Sequence, residues 1–171
     1  MVDDSVSRML FDAASMAAGE WCSTDDPVMG GESRSNMEEG PEETVVFAGH
    51  VSLANNGGFA SIHRPLEQGL LSGYGALSLR VCGDGRRYSL RLRQEEAFDG
   101  ISWRQDFDTR AGEWQTVVLP FSGFRAVFRG RELPTAGPLD LPRVNRVGLL
   151  IGRQPGPFRL RLRWIQAVRR T

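Results

Sequence analysis

From residue 44 onward, apolar side chains recur at every second position, which is the signature of β-strands. In 44–54, Val45, Phe47, Val51 and Leu53 alternate with Ala48, His50 and Ser52. The same alternation runs through 75–82 (Leu77, Leu79, Val81), 87–94 (Tyr88, Leu90, Leu92) and 101–107 (Ile101, Trp103, Phe107). It continues through 113–119 (Trp114, Val118) and 158–168 (Phe158, Leu160, Leu162, Trp164). In 145–152, Val147, Leu149 and Ile151 point one way and Gly148, Leu150 and Gly152 the other, so burial on both faces is expected there. Only 13–18 offers a short helical turn. Strands that each bury one face must pack sheet against sheet, so the pattern predicts an all-β sandwich or barrel.

The chain has 171 residues, the size of one ordinary domain, and one domain over 1–171 is expected. The acidic segment 38–43 is expected as an exposed loop, and 120–144, with four prolines, as an irregular crossing. Turn residues suggest two hairpins. One turns at 83–86 and sets Leu77 against Leu92, Leu79 against Leu90 and Val81 against Tyr88. The other turns at Asn56-Gly57 and sets Val51 against Ile62 and His50 against His63. A metal on His50 and His63 would need a third ligand that the sequence does not supply, so no metal site is expected.

The net charge is zero, but residues 1–45 hold eleven acids and two arginines, whereas 46–171 hold ten acids and nineteen arginines. The balance argues against bulk attraction to nucleic acid or to a membrane surface. No apolar run reaches the ~20 residues of a membrane-spanning helix, so membrane insertion is not expected. Every basic residue is arginine, as a GC-rich bacterial genome would favour. The acidic N-terminus resembles neither a secretory signal nor a transit peptide, and Cys22 and Cys82 form no metal-binding spacing. The expected setting is therefore a bacterial cytoplasm with reduced thiols. Arg91, Arg93, Arg159, Arg161 and Arg163 alternate with core residues. If their strands share a sheet, they form an arginine ridge. That ridge would be matched by the acidic N-terminal third or would bind an acidic partner or phosphate.

Catalytic constellations are poor. No GxSxG, HExxH or P-loop is present, and Gly83-Asp-Gly85 is a lone turn. Paired acids such as Asp106 and Asp108 read as solvated surface. Nothing calls for a cofactor. Trp103 and Trp164 share faces with core residues, whereas Trp21 and Trp114 are candidates to floor a groove. The run Asp26-Pro27-Val28-Met29-Gly30-Gly31-Glu32-Ser33 has two readings. It is a tight turn capped by Asp26, or a contact site in which Met29, the glycines and Ser33 meet a partner.

That run resembles the D-x-V-M-G-G-x-S signature of the complex I intermediate-associated protein domain family. Further blocks follow in the family's order: Phe47-Ala-Gly-His-Val-Ser-Leu53, Asn56-Gly-Gly-Phe-Ala-Ser61, Gly83-Asp-Gly-Arg-Arg-Tyr88, Trp114-Gln115 with Leu119-Pro-Phe121, Phe128-Arg-Gly-Arg131 and Gly156-Pro-Phe158. The resemblance covers about residues 9–168. It implies a galactose-binding-like jelly roll similar to carbohydrate-binding modules, and a part in assembling NADH:ubiquinone oxidoreductase for mitochondrial members. It supplies no catalytic residues. The expectation is a non-enzymatic module that binds a protein partner. The rivals are carbohydrate binding, which needs exposed aromatic platforms, and RNA or phosphate binding through arginine-lined strands.

Overall fold

The computed structural model describes residues 7–16, 18–23, 34–53, 58–94, 101–128, 131–134 and 138–169. Asp26, Met29, Gly30, Gly31 and Ser33, and the Asn56-Gly57 turn, lie outside the described residues. Two antiparallel sheets pack face to face as a jelly-roll sandwich. The six-stranded sheet runs β3 (Arg34–Gly40), β4 (Thr44–Val51), β13 (Gly156–Val168), β6 (Ala76–Cys82) and β9 (Trp114–Pro120), with β1 (Ser7–Asp12) also paired to β13. The seven-stranded sheet runs β11 (Arg131–Glu132), β10 (Arg125–Phe128), β8 (Ser102–Asp108), β7 (Arg87–Gln94), β12 (Val144–Gly152), β5 (Phe59–Pro65) and β2 (Cys22–Ser23).

The alternation predicts the core well. Phe47, Leu77, Leu79, Leu160 and Leu162 of one sheet, with Ile62, Leu90, Leu92, Trp103 and Leu149 of the other, are buried in one cluster. Rings bridge the sheets at its centre, where Tyr88 lies 6.4 Å from both Phe47 and Phe158.

Neither expected hairpin forms. β6 and β7 belong to opposite sheets, as do β4 and β5. Leu77 pairs with Ala167 and Leu119, and Leu92 with Val147 and Trp103. His50 pairs with Arg34 and Pro157, and His63 with Cys22 and Gly148, so the two histidines sit in different sheets. Two strands facing each other across a core satisfy an apolar pattern as fully as two strands side by side. Among the described residues no His/Cys/Asp/Glu group is arranged to hold a metal.

The 83–86 segment therefore carries the chain from sheet to sheet. Gly83 is required there, because a Cβ would stand 2.2 Å from Thr109 Cβ. The Asp84 carboxylate accepts hydrogen bonds from the Tyr88 hydroxyl at 3.0 Å, Arg86 N at 3.1 Å and Arg159 N at 2.8 Å, joining the two sheets.

Three further expectations change. Part of the acidic 38–43 segment is β3, an edge strand whose charged outer positions hide the period. The 120–144 crossing contains β10, β11 and two short 3-10 turns. Trp164 is only half-buried, because a register shift between Leu162 and Trp164 moves the core positions on to Ile165 and Ala167.

Candidate binding groove

The arginines do not form one ridge. Arg91 and Arg93 stand on β7, while Arg159, Arg161 and Arg163 stand on β13 in the opposite sheet. On that far face, Arg80, Arg161 and Arg163 place their guanidinium carbons 5.9, 5.0 and 4.8 Å from the Trp114 ring. Trp114 is thus capped by cations. Trp21 is buried edge-on against Phe11, with ring centroids 5.3 Å apart. Neither tryptophan floors a groove. Among the described residues of the acidic N-terminal third, Glu20 is an arginine partner, 2.7 Å from Arg64.

A groove of about 690 Å³ lies over the outer face of the seven-stranded sheet. Strand register builds it in rungs. One rung runs His63, Gly148, Arg91, Arg104 and Arg125 across five strands. The next toward Gly152 runs Ser61, Leu150, Ser89 and Asp106. On the other side, Arg146 stands opposite Arg93. Neighbouring strands lie about 4.8 Å apart. Arg91 therefore directly faces a like charge in Arg104, and Arg146 another in Arg93, an arrangement that destabilises a sheet.

Gly148 sits between His63 and Arg91. A Cβ there would meet Ile62 O at 2.7 Å, so close strand packing demands glycine and leaves a gap in the floor. Arg91 donates through Nε to Ser89 Oγ at 3.1 Å and through Nη1 to Ser102 Oγ at 3.0 Å. Burial, then the Arg104 charge, pull its pKa down to about 10, with Asp106 opposing. The His63 pKa is lowered by burial first, then by Arg146 and Arg93. Among the described residues the lining carries six arginines and one carboxylate, Asp106. Asp106 is itself shared, 3.6 Å from Arg87 and 3.9 Å from Arg104.

Of the expected site residues, the groove gathers Arg91 and Arg93. It adds Arg104, Arg146, His63, Ser89 and Ser102. Arg104 was visible in the alternation of 101–107, but placing it beside Arg91 requires the β7–β8 register.

The fold is shared with solved structures. A family 11 carbohydrate-binding module from Clostridium thermocellum, solved with a β-1,3-1,4-mixed-linked tetrasaccharide, superposes with a TM-score of 0.74. The two are 16% identical, over 95% of this chain and 96% of the module, a likeness of fold alone. Among curated proteins, the mitochondrial complex I intermediate-associated protein 30 of Mus musculus is 34% identical over 99 residues, 55% of this chain and 30% of the relative. Its Drosophila melanogaster counterpart is 33% identical over 100 residues, 54% and 33% of the two lengths. The chain thus spans about a third of these relatives. Both are named mitochondrial, which lends no support to a bacterial or cytoplasmic setting. Residues 9–162 match the model of the complex I intermediate-associated protein 30 (CIA30) family, and the chain belongs to that family.

Proposed function

We propose that this chain is a non-catalytic binding module that holds a protein partner during assembly of a respiratory complex, and that the groove is its contact site. The observation that carries this reading is the groove itself. Its chemistry consists of guanidinium donors, serine hydroxyls and glycine backbone, which suits recognition. Family membership supplies the assembly context. The Asp26–Ser33 run remains a proposed second contact, through Met29, Gly30, Gly31 and Ser33.

Carbohydrate binding is supported less well by the lining. Among the described residues its phenyl-type rings are Phe59 and Tyr88, and Tyr88 is 1% exposed, with its ring in the core. A neutral sugar needs an open aromatic face.

The test is complementation. Disrupting the gene in its host should lower assembled complex I on native gels. The wild-type chain should restore it, and Leu150→Trp, which fills the groove from a lining position that already carries a side chain, should not. Normal assembly without the gene would overturn the reading.

A further inference from the structure

Resting on the groove as the partner site, we propose that its ligand is an extended acidic peptide segment whose alternate carboxylates dock on Arg91 and its neighbours. Four observations carry this.

The first is an imbalance of charge. Among the described residues the lining holds six arginines and one carboxylate, and that carboxylate is already divided between Arg87 and Arg104. His63 adds no negative charge.

The second is a juxtaposition of like charges. Arg91 directly opposes Arg104, which itself lies 3.9 Å from Asp106 and from Glu132, and Arg146 directly opposes Arg93. Like charges across a ladder repel, and a bound anion converts that repulsion into attraction.

The third is the preparation of Arg91. Ser89 and Ser102 take two of its five N–H donors and fix its plane, leaving the others for a carboxylate. Among the described residues no carboxylate lies within ion-pair distance of it.

The fourth is shape. Along β7 the lining runs from Arg87 to Arg93, seven residues of strand and about 20 Å from end to end. That is long for one phosphate and matches about six residues of extended chain. Arg91 and Arg93 are two residues apart, the spacing at which an extended peptide presents side chains on one face.

Single-stranded nucleic acid would also meet a cationic groove, but such sites add exposed aromatic rings for base stacking. Tyr88 is buried here, and Phe59 is the other phenyl-type ring among the described lining residues.

The experiment is titration calorimetry on the intact chain with acetyl-Glu-Ala-Glu-Ala-Glu-Ala-amide. The glutamine counterpart, inorganic phosphate and an oligouridylate serve as comparison probes. The acidic peptide should bind, more weakly as salt rises, and the glutamine peptide should not. Arg91→Gln and Arg104→Gln should each weaken binding about tenfold, the loss of one charge-assisted contact. Arg159→Gln, on the other sheet, should leave it unchanged. Thermal melts confirm that each variant is folded.

Equal binding of the glutamine peptide, tighter binding of oligouridylate or phosphate, no binding at low salt, or equal weakening by Arg159→Gln would each overturn the proposal. Failed complementation by a folded Leu150→Trp without acidic-peptide binding would overturn the ligand class and leave the assembly reading standing. Acidic-peptide binding with normal assembly in Leu150→Trp would do the reverse.

Discussion

Arg146 donates from Nη1 to Nδ1 of His63 across 3.1 Å. A guanidinium has no acceptor, so Nδ1 must carry the lone pair and His63 is the Nε2–H tautomer, held neutral. The charged groups lowering its pKa are Arg146 from β12 and Arg93 from β7, while Cys22 is its register partner on β2. The imidazole protonates near pH 6.5 in the unfolded chain and only at lower pH in the folded one. Below about pH 6.5 the unfolded state therefore binds more protons, and stability falls with pH until the folded group titrates as well. His63→Asn should flatten the stability curve below about pH 6.5. Denaturant titrations at several pH values check this; an unchanged slope in the variant would assign the acid sensitivity elsewhere.

Tyr88 and Asp84 make a second testable pair. The hydroxyl reaches both carboxylate oxygens, at 3.0 and 3.1 Å, and burial together with the Asp84 charge drives the phenol pKa far above its usual value. Tyr88→Phe keeps the ring but leaves the carboxylate short of a donor. We expect a loss of about 1–3 kcal/mol, the range for a hydrogen bond to a charged group. Asp84→Ala should exceed it, because the backbone N–H groups of Arg86 and Arg159 lose their acceptor as well. Equilibrium unfolding that ranks the two variants the other way would contradict this account of the loop.

Much of the fold was legible because side-chain period reports which face of a strand is buried. Leu77, Leu79, Leu90, Leu92 and Leu149 were all placed correctly by alternation. Period does not report which strand lies beside which. Leu79 and Leu90 look like hairpin partners in sequence and sit in opposite sheets in space. The same ambiguity hid the groove. Its members come from β5, β7, β8 and β12, and only register brings His63, Gly148, Arg91 and Arg104 onto one rung. Trp164 was misplaced because one extra residue at Arg163 resets the alternation, and nothing in Leu162-Arg163-Trp164 announces it.

Trp114 holds the far face together differently. Arg80, Arg161 and Arg163 converge on its ring, and among the described residues the buried Nε atoms of Arg161 and Arg163 have no hydrogen-bond partner. Trp114→Ala should destabilise the fold by about 1–3 kcal/mol, at about 0.5–1 kcal/mol for each cation–π contact. Trp114→Phe should recover part of the loss and leave acidic-peptide binding in the groove unchanged. If Trp114→Ala weakened peptide binding with the fold intact, the two faces would be coupled, contrary to their separation by the core.

Arg91 offers the clearest separation of stability from function. A residue kept for the fold should destabilise when lost. Arg91 instead stands opposite Arg104, half-buried, with a pKa pulled down to about 10 by desolvation and by that neighbour. Its compensation is two serine hydroxyls. Arg91→Met keeps the length and the apolar stem while removing the charge, the repulsion and the desolvation penalty. Replacing a buried charge by an apolar residue of similar volume is commonly neutral or stabilising, by up to about 4 kcal/mol for ion pairs. The loss of two hydrogen bonds donated by the charged guanidinium offsets about 1.5–3 kcal/mol each. We therefore expect Arg91→Met to melt close to the wild type and to lose acidic-peptide binding. A melting temperature well below that of the wild type would make Arg91 a structural residue. A stable variant that still bound the peptide would move the anchor to Arg93, Arg104 or Arg146.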